Sequence, residues 1–216
     1  MRHLRMIIVF LILVWSSPYK LSALELEQAA LLPEIRELYL PPTLSVPREQ
    51  EVTHIVIHSL SNVVANPENP YQVVDLYLLL MEYGVSTHYL IDRDGAVYQL
   101  VAEDRVAFHA GRSSFPYLPF FPHNLNEYSM GIELMGIGTR EEMLPIVSEE
   151  IYDSLHDDFI GYTEAQYRAL SLLLNDIHKR YPTIPRSRYH VIGHEDYAPG
   201  RKVDPGNLFD WEKINY

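Results

Sequence analysis

The sequence predicts a single α/β domain: a central mixed β-sheet flanked by helices. Three observations carry that expectation. β-Branched runs such as "EVTHIVIHS" (51–59), with Val52, Ile55, Val56 and Ile57, have the length and composition of buried strands. Helix-period stretches, above all "TEAQYRALSLLLNDIHKRY" (163–181), alternate with such runs along the chain. The length of 216 residues suits one sizeable domain and is short for two.

The elements follow in order. "MRHLR" is a short basic start, "MIIVFLILVW" (6–15) an apolar core, and "SSPYKLSA" offers small residues for cleavage. This is the pattern of an export signal, residues 1–23, cut after Ala23, and its apolar run is too short to span a bilayer comfortably. The expected protein is exported, periplasmic or secreted, with no stable membrane span once the signal is removed. Residues 24–50 read as an N-terminal lead-in, "LELEQAALLPEIRELYL" with some helical period and "PPTLSVPREQ" as a Pro-rich extended linker. The main domain then occupies 51–216.

Within it, "YQVVDLYLLLMEYG" (71–84) predicts a helix stopped at Gly84. "STHYLIDRDGAVYQLV" (86–101) predicts two strands joined at Asp94-Gly95, and "SMGIELMGIG" (129–138) a further strand. The helix over 163–181 has Thr163 as N-cap and Gln166 to complete a capping box. "TREEMLPIVSEEIYDSLHDDFIGY" (139–162) lacks a clean period and reads as an inserted loop or short helix at the rim of a cleft.

Composition excludes several functions. A formal charge of −12 argues against binding nucleic acid through its phosphates. The chain has no cysteine, so disulfides, thiolate metal sites and a cysteine nucleophile are ruled out.

Three stretches could carry chemistry. His58 closes an apolar strand; taken alone, a histidine after "IVI" reads as a satisfied core residue. "GHEDYAPGRKVDPG" (193–206) gathers His194, Lys202 and Asp204 among glycines and prolines that could fold the loop back on itself. Zinc takes imidazole nitrogen and carboxylate oxygen, and a catalytic zinc keeps three protein ligands with a fourth place open, a pattern that two histidines and one aspartate fit. Lys202 and Asp204 are two apart, so an extended segment would turn both into one cavity, where an ammonium could stabilise an oxyanion. Glu133 is a lone carboxylate in the strand "SMGIEL", either paired at the sheet edge or placed as a general base. His54, His88, His123, His156, His178 and His190 receive no functional role.

Together "THIVIHS", "STHYLIDRDGAVYQLV", "FHAGRSS", "NLNEYSMGIEL" and "GHEDYAPGRKVDPG" closely resemble the zinc-dependent N-acetylmuramoyl-L-alanine amidases of the type-2 (AmpD-like) group, which share the fold of peptidoglycan recognition proteins. The resemblance runs from about residue 52 to Trp211. It implies one Zn2+ per chain held by His58, His194 and Asp204, Lys202 assisting catalysis, Glu133 as base, and His109 of "FHAG" lining the substrate groove. The implied reaction is hydrolysis of the amide between N-acetylmuramic acid and L-alanine, in peptidoglycan or muropeptides. Thr87 stands where the phage and recognition-protein branches have a tyrosine, which shifts weight to Glu133, and Phe108 replaces the usual tryptophan. The alternatives are a recognition module that binds muropeptide without cutting it, and a zinc peptidase acting within the stem peptide. The missing His-Glu-x-x-His helix argues against the second.

Overall fold

The protein is described here from a computed structural model, which covers residues 34–111 and 125–216. The signal-like residues 1–23, the first part of the lead-in and residues 112–124 lie outside the described residues. Six strands form the main sheet in the order β1-β5-β4-β7-β3-β8. They are β1 (Ile35–Glu37), β3 (His54–Leu60), β4 (Tyr89–Ile91), β5 (Val97–Gln99), β7 (Ser129–Met135) and β8 (Val191–Gly193). A two-stranded sheet pairs β2 (Ser45–Pro47) with β6 (Arg105–Ala107).

The sheet is mixed, as the sequence predicts. β3 runs parallel to β7 and β8, and β4 parallel to β7 but antiparallel to β5. The β4–β5 hairpin turns where "DRDG" predicts, with Gly95 at φ 84° and Asp92 Oδ1 accepting from the amides of Asp94 and Ala96.

Helix α1 (Val73–Tyr83) ends at Gly84, whose left-handed backbone closes the last turn onto Leu80 and Met81. The short α2 (Leu125–Tyr128) leads into β7. The 139–162 stretch resolves into α3 (Arg140–Met143), α4 (Glu149–Asp153) and a 3-10 turn at Asp157–Phe159. The long α5 (Glu164–Arg180) starts with the predicted Thr163–Gln166 capping box. It buries Leu170, Leu173, Leu174 and Ile177 against Ile55, Ile57, Met130, Ile132 and Leu134 of the sheet. That face is apolar and closed, so functional side chains must project from the other.

Residues 34–50 differ from the expected helical lead-in and linker. Ile35–Glu37 adds a parallel edge strand beside β5, and Ser45–Pro47 pairs with β6. Pro33 and Pro41 leave only a short span between them, too short to offset helix nucleation. The extended form also lets Leu38 and Leu40 pack with Leu76, Leu80 and Leu100. The domain therefore takes in residues well before 51.

Arg48 pins this segment. Its guanidinium donates to the carbonyls of Glu103, Glu127, Arg105 and Ser129. The two N–H groups of Nη2 are used by Arg105 and Ser129, so its 3.0 Å approach to His88 Nε2 is packing. His88 Nδ1 accepts from the Gly131 amide, and burial lowers this ring's pKa to about 3, keeping it neutral. Arg48→Ala would strip four carbonyls of a donor and should destabilise the domain by about 2–3 kcal/mol. Urea unfolding measures this. Arg48→Lys should recover only part, since an ammonium cannot reproduce the planar fork.

Candidate metal centre and active site

The sheet places the site. Alternation along β3 and β7 turns Val56, His58, Ser129, Gly131 and Glu133 away from α5, and the parallel register sets His58 directly beside Glu133. β8 lies on the other side of β3, with Gly193 opposite Ile57. His194 follows immediately as the first residue of α6 (His194–Tyr197), which brings it beside His58. The chain then turns at Pro199–Gly200 and returns through Lys202 to Asp204.

Three atoms meet there. His58 Nδ1, His194 Nδ1 and Asp204 Oδ2 form a triangle with every side 3.0 Å. The edge of a zinc tetrahedron with bonds of ~2.0–2.1 Å is about 3.3 Å, so little movement would seat an ion. These are also the residues whose ligand atoms converge as a possible metal group among the described residues. Both histidines are buried, and Asp204 is mostly so.

The outer hydrogen bonds decide where the ring protons lie. His194 Nε2 faces the carbonyl of Ala110 at 3.1 Å; a carbonyl only accepts, so Nε2 carries the proton and Nδ1 is bare. The Ser129 hydroxyl donates to the Leu125 carbonyl, so its oxygen accepts from His109 Nε2 at 3.2 Å. His109 Nδ1 is then bare and accepts from His58 Nε2 at 3.0 Å, which leaves His58 Nδ1 bare as well. Two lone pairs and a carboxylate thus face one another. Burial, then the neighbouring His194, lowers the His58 pKa to about 4, so protonating His58 is a poor remedy at neutral pH. Burial works to raise the Asp204 pKa, but the adjoining His194 and His58 rings outweigh it and hold the carboxyl below its ordinary range. A divalent cation fits this donor set.

Glu133 and Lys202 complete the arrangement. Glu133 is 9% exposed, and its Oε2 has no hydrogen-bond partner among the described residues. Burial, then the charge of Asp204, pushes its pKa well above the usual carboxylate range, while the Lys202 ammonium acts in the opposite direction. A buried, poorly solvated carboxylate with a raised pKa is a stronger base than an ordinary one and is suited to taking and returning a proton.

Comparison with known proteins agrees with this geometry. Residues 48–207 match the Amidase_2 model, N-acetylmuramoyl-L-alanine amidase. The chain belongs to this family. An amidase from Haemophilus influenzae, 1,6-anhydro-N-acetylmuramyl-L-alanine amidase AmpD, is 29% identical over 86% of this chain and 93% of its own. A crystal structure of an AmpD derivative superimposes with a TM-score of 0.61 at 30% identity, covering 85% of this chain and 93% of that one. The Escherichia coli amidase AmiD, solved with the substrate anhydro-N-acetylmuramic acid-L-Ala-D-gamma-Glu-L-Lys, gives 0.54 at 30% identity, covering 76% and 56%. The chain is thus an amidase for the bond between N-acetylmuramic acid and L-alanine.

In the amidase, the five residues His58, His194, Asp204, Lys202 and Glu133 gather at one place. His109 also comes there, and its Nδ1 is engaged by a candidate ligand. Gly131 makes that contact possible, because a Cβ there would fall 2.6 Å from the His109 ring. Sequence reasoning missed Ser129, which fixes the His109 tautomer. It also missed Asn126, whose Oδ1 accepts from the amides of His109 and Ala110 and so aims the Ala110 carbonyl at His194. Both lie in "NLNEYSMGIEL", but a polar residue's partner across the fold leaves no trace in spacing.

His109→Ala should free the His58 ring and weaken metal binding by about tenfold or more. Competition against a chromophoric chelator measures it. If His109 only lines the groove, KM should rise while metal affinity stays unchanged.

Proposed function

We propose that this amidase is zinc-dependent, is exported, and acts on peptidoglycan or muropeptides outside the cytoplasm. The observation that carries the metal reading is the triangle of two bare imidazole nitrogens and one carboxylate beside an orphaned buried Glu133. The signal-like residues 1–23 support export. Among the described residues, no helix is long and apolar enough to cross a membrane. The AmiD relative was solved with an anhydromuropeptide, and we extend that substrate class to this chain.

When bound by His58, His194 and Asp204, zinc supplies a Lewis acid that acidifies water and polarises a carbonyl. The remaining steps belong to the chain. Glu133 takes the proton of the water that attacks the lactyl carbonyl carbon, and holds it on a carboxylate oxygen. As the tetrahedral carbon collapses, the C–N bond breaks and Glu133 returns the proton to the amine of L-alanine. Lys202 places a positive charge by the oxygen that becomes negative during attack. His109, partly exposed beside His58, adds to the groove wall. A cavity of about 400 Å³ opens beside Lys202 and Asp204, walled by Leu60, Val63, Met143 and Ile146. Met143 and Ile146 come from the 139–162 stretch, which we assign to substrate selection.

A muropeptide-binding module without activity is the second reading. The complete set of ligands, base and ammonium favours the enzyme. Incubating the protein with defined muropeptides, with and without chelator, and weighing the products separates the two. The expected outcome is free stem peptide and the intact sugar moiety, abolished by chelation and restored by zinc; release of no peptide would favour the binder. Lys202→Ala should lower kcat by about 10²–10³ with metal content unchanged. His58→Ala should lose the metal itself, seen by elemental analysis.

A further inference from the structure

Asp204 sits on an irregular loop rather than a strand or helix, yet a metal ligand must hold its place. The main chain of Asp204–Asn207 is tied from three directions. The Glu195 amide donates to the Asp204 carbonyl at 2.9 Å, and Glu195 Oε2 accepts from the Gly206 amide at 2.8 Å. Glu142 Oε1 accepts from the Asn207 amide at 2.8 Å. The Tyr162 hydroxyl donates to the Pro205 carbonyl at 2.6 Å. Pro205 has no amide hydrogen, and the Gly206 carbonyl accepts from Phe209, so the backbone groups of this turn are almost fully engaged.

The three side chains have separate origins. Glu195 follows the ligand His194, so it links the main chains of two candidate ligands. Glu142 lies on α3, and its other oxygen, Oε2, accepts from the amide and hydroxyl of Thr139. One carboxylate therefore joins the cap of a helix in the 139–162 stretch to the metal loop. Tyr162 closes the same stretch, with its ring packed edge-on against Phe209 and in the space left by Gly136. Gly206 has φ 83°, and a Cβ there would fall 2.8 Å from Glu142 Oε1, so the close approach of that carboxylate depends on glycine. None of the three side chains is a corner of the ligand triangle.

We infer that Glu142, Tyr162 and Glu195 are positioning residues that clamp the 204–207 loop and fix the Asp204 carboxylate for metal binding. The clamp makes the 139–162 stretch part of the metal site's support as well as a wall of the cavity. The inference rests on the triangle being a metal site, and the test separates the two claims.

The full chain is stripped of metal and titrated with zinc against a chromophoric chelator, and with cobalt to record the visible d–d bands. Variants are Glu142→Ala, Glu195→Ala, Glu142→Gln, Glu195→Gln and Tyr162→Phe, with His194→Ala as the control that loses the metal. The alanine variants should bind zinc about ten- to a hundredfold more weakly and shift the cobalt bands. Glu195→Gln, whose amide oxygen still accepts the Gly206 N–H, should return to within a few-fold of the parent. Glu142→Gln, with one acceptor oxygen for the Asn207 and Thr139 amides, should fall between the parent and Glu142→Ala. Tyr162→Phe keeps the ring and loses only the hydroxyl bond, so it keeps the test open should an alanine variant fail to fold, and it should show weaker binding. Parent-like zinc affinity and cobalt bands in folded Glu142→Ala, Glu195→Ala and Tyr162→Phe would overturn the clamp and leave the metal site standing. A parent chain that takes up neither metal would overturn the metal site and the clamp with it.

Discussion

The triangle of His58 Nδ1, His194 Nδ1 and Asp204 Oδ2, each side 3.0 Å, is the constraint on which the site depends. Bringing two lone pairs and a carboxylate together in a buried place is unfavourable unless a cation compensates. Outer hydrogen bonds keep the ring protons from serving as that cation. The Ala110 carbonyl holds one proton on the far nitrogen of His194. The Leu125–Ser129–His109 chain does the same for His58. With the ring protons committed elsewhere, the three facing atoms form a donor set that a divalent cation fits.

Everything around the triangle serves to hold it. The parallel register of β3, β7 and β8 fixes two of the corners and sets Glu133 against one of them. The face of the sheet turned to α5 is filled with Ile, Leu and Met, so the histidines and Glu133 emerge only on the open side. Arg48 and Asn126 secure neighbouring loops through backbone groups, and Asn126 does so next to the carbonyl that His194 needs. The substrate amide would meet a constellation in which Glu133, Lys202 and the three candidate metal ligands lie together.

Much of this was legible in the sequence because strong local signals and function coincide. The β-branched run ending in His58, the apolar strand carrying Glu133 and the Thr163–Gln166 capping box each impose their element locally. The Pro-Gly content of 193–206 signals a folded-back loop, and the loop does fold back. The lead-in departs from its helical period because the short span between Pro33 and Pro41 is better stabilised as the edge strand Ile35–Glu37, with the extended chain beyond it burying Leu40 and packing Leu38 alongside. Ser129, Asn126, Glu142 and Glu195 escaped notice for another reason. Each acts through a partner distant in sequence or through the backbone of a loop, and neither composition nor period encodes such a pairing.

The most direct test is long-range 1H–15N NMR of the histidine rings, recorded before and after one equivalent of zinc. The bare-Nδ1 triangle requires that His58, His194 and His109 carry their proton on Nε2, and that zinc shift Nδ1 of His58 and His194 while their Nε2 protons remain. Rings protonated at Nδ1 in the zinc-loaded protein, or spectra that zinc leaves unchanged, would contradict it.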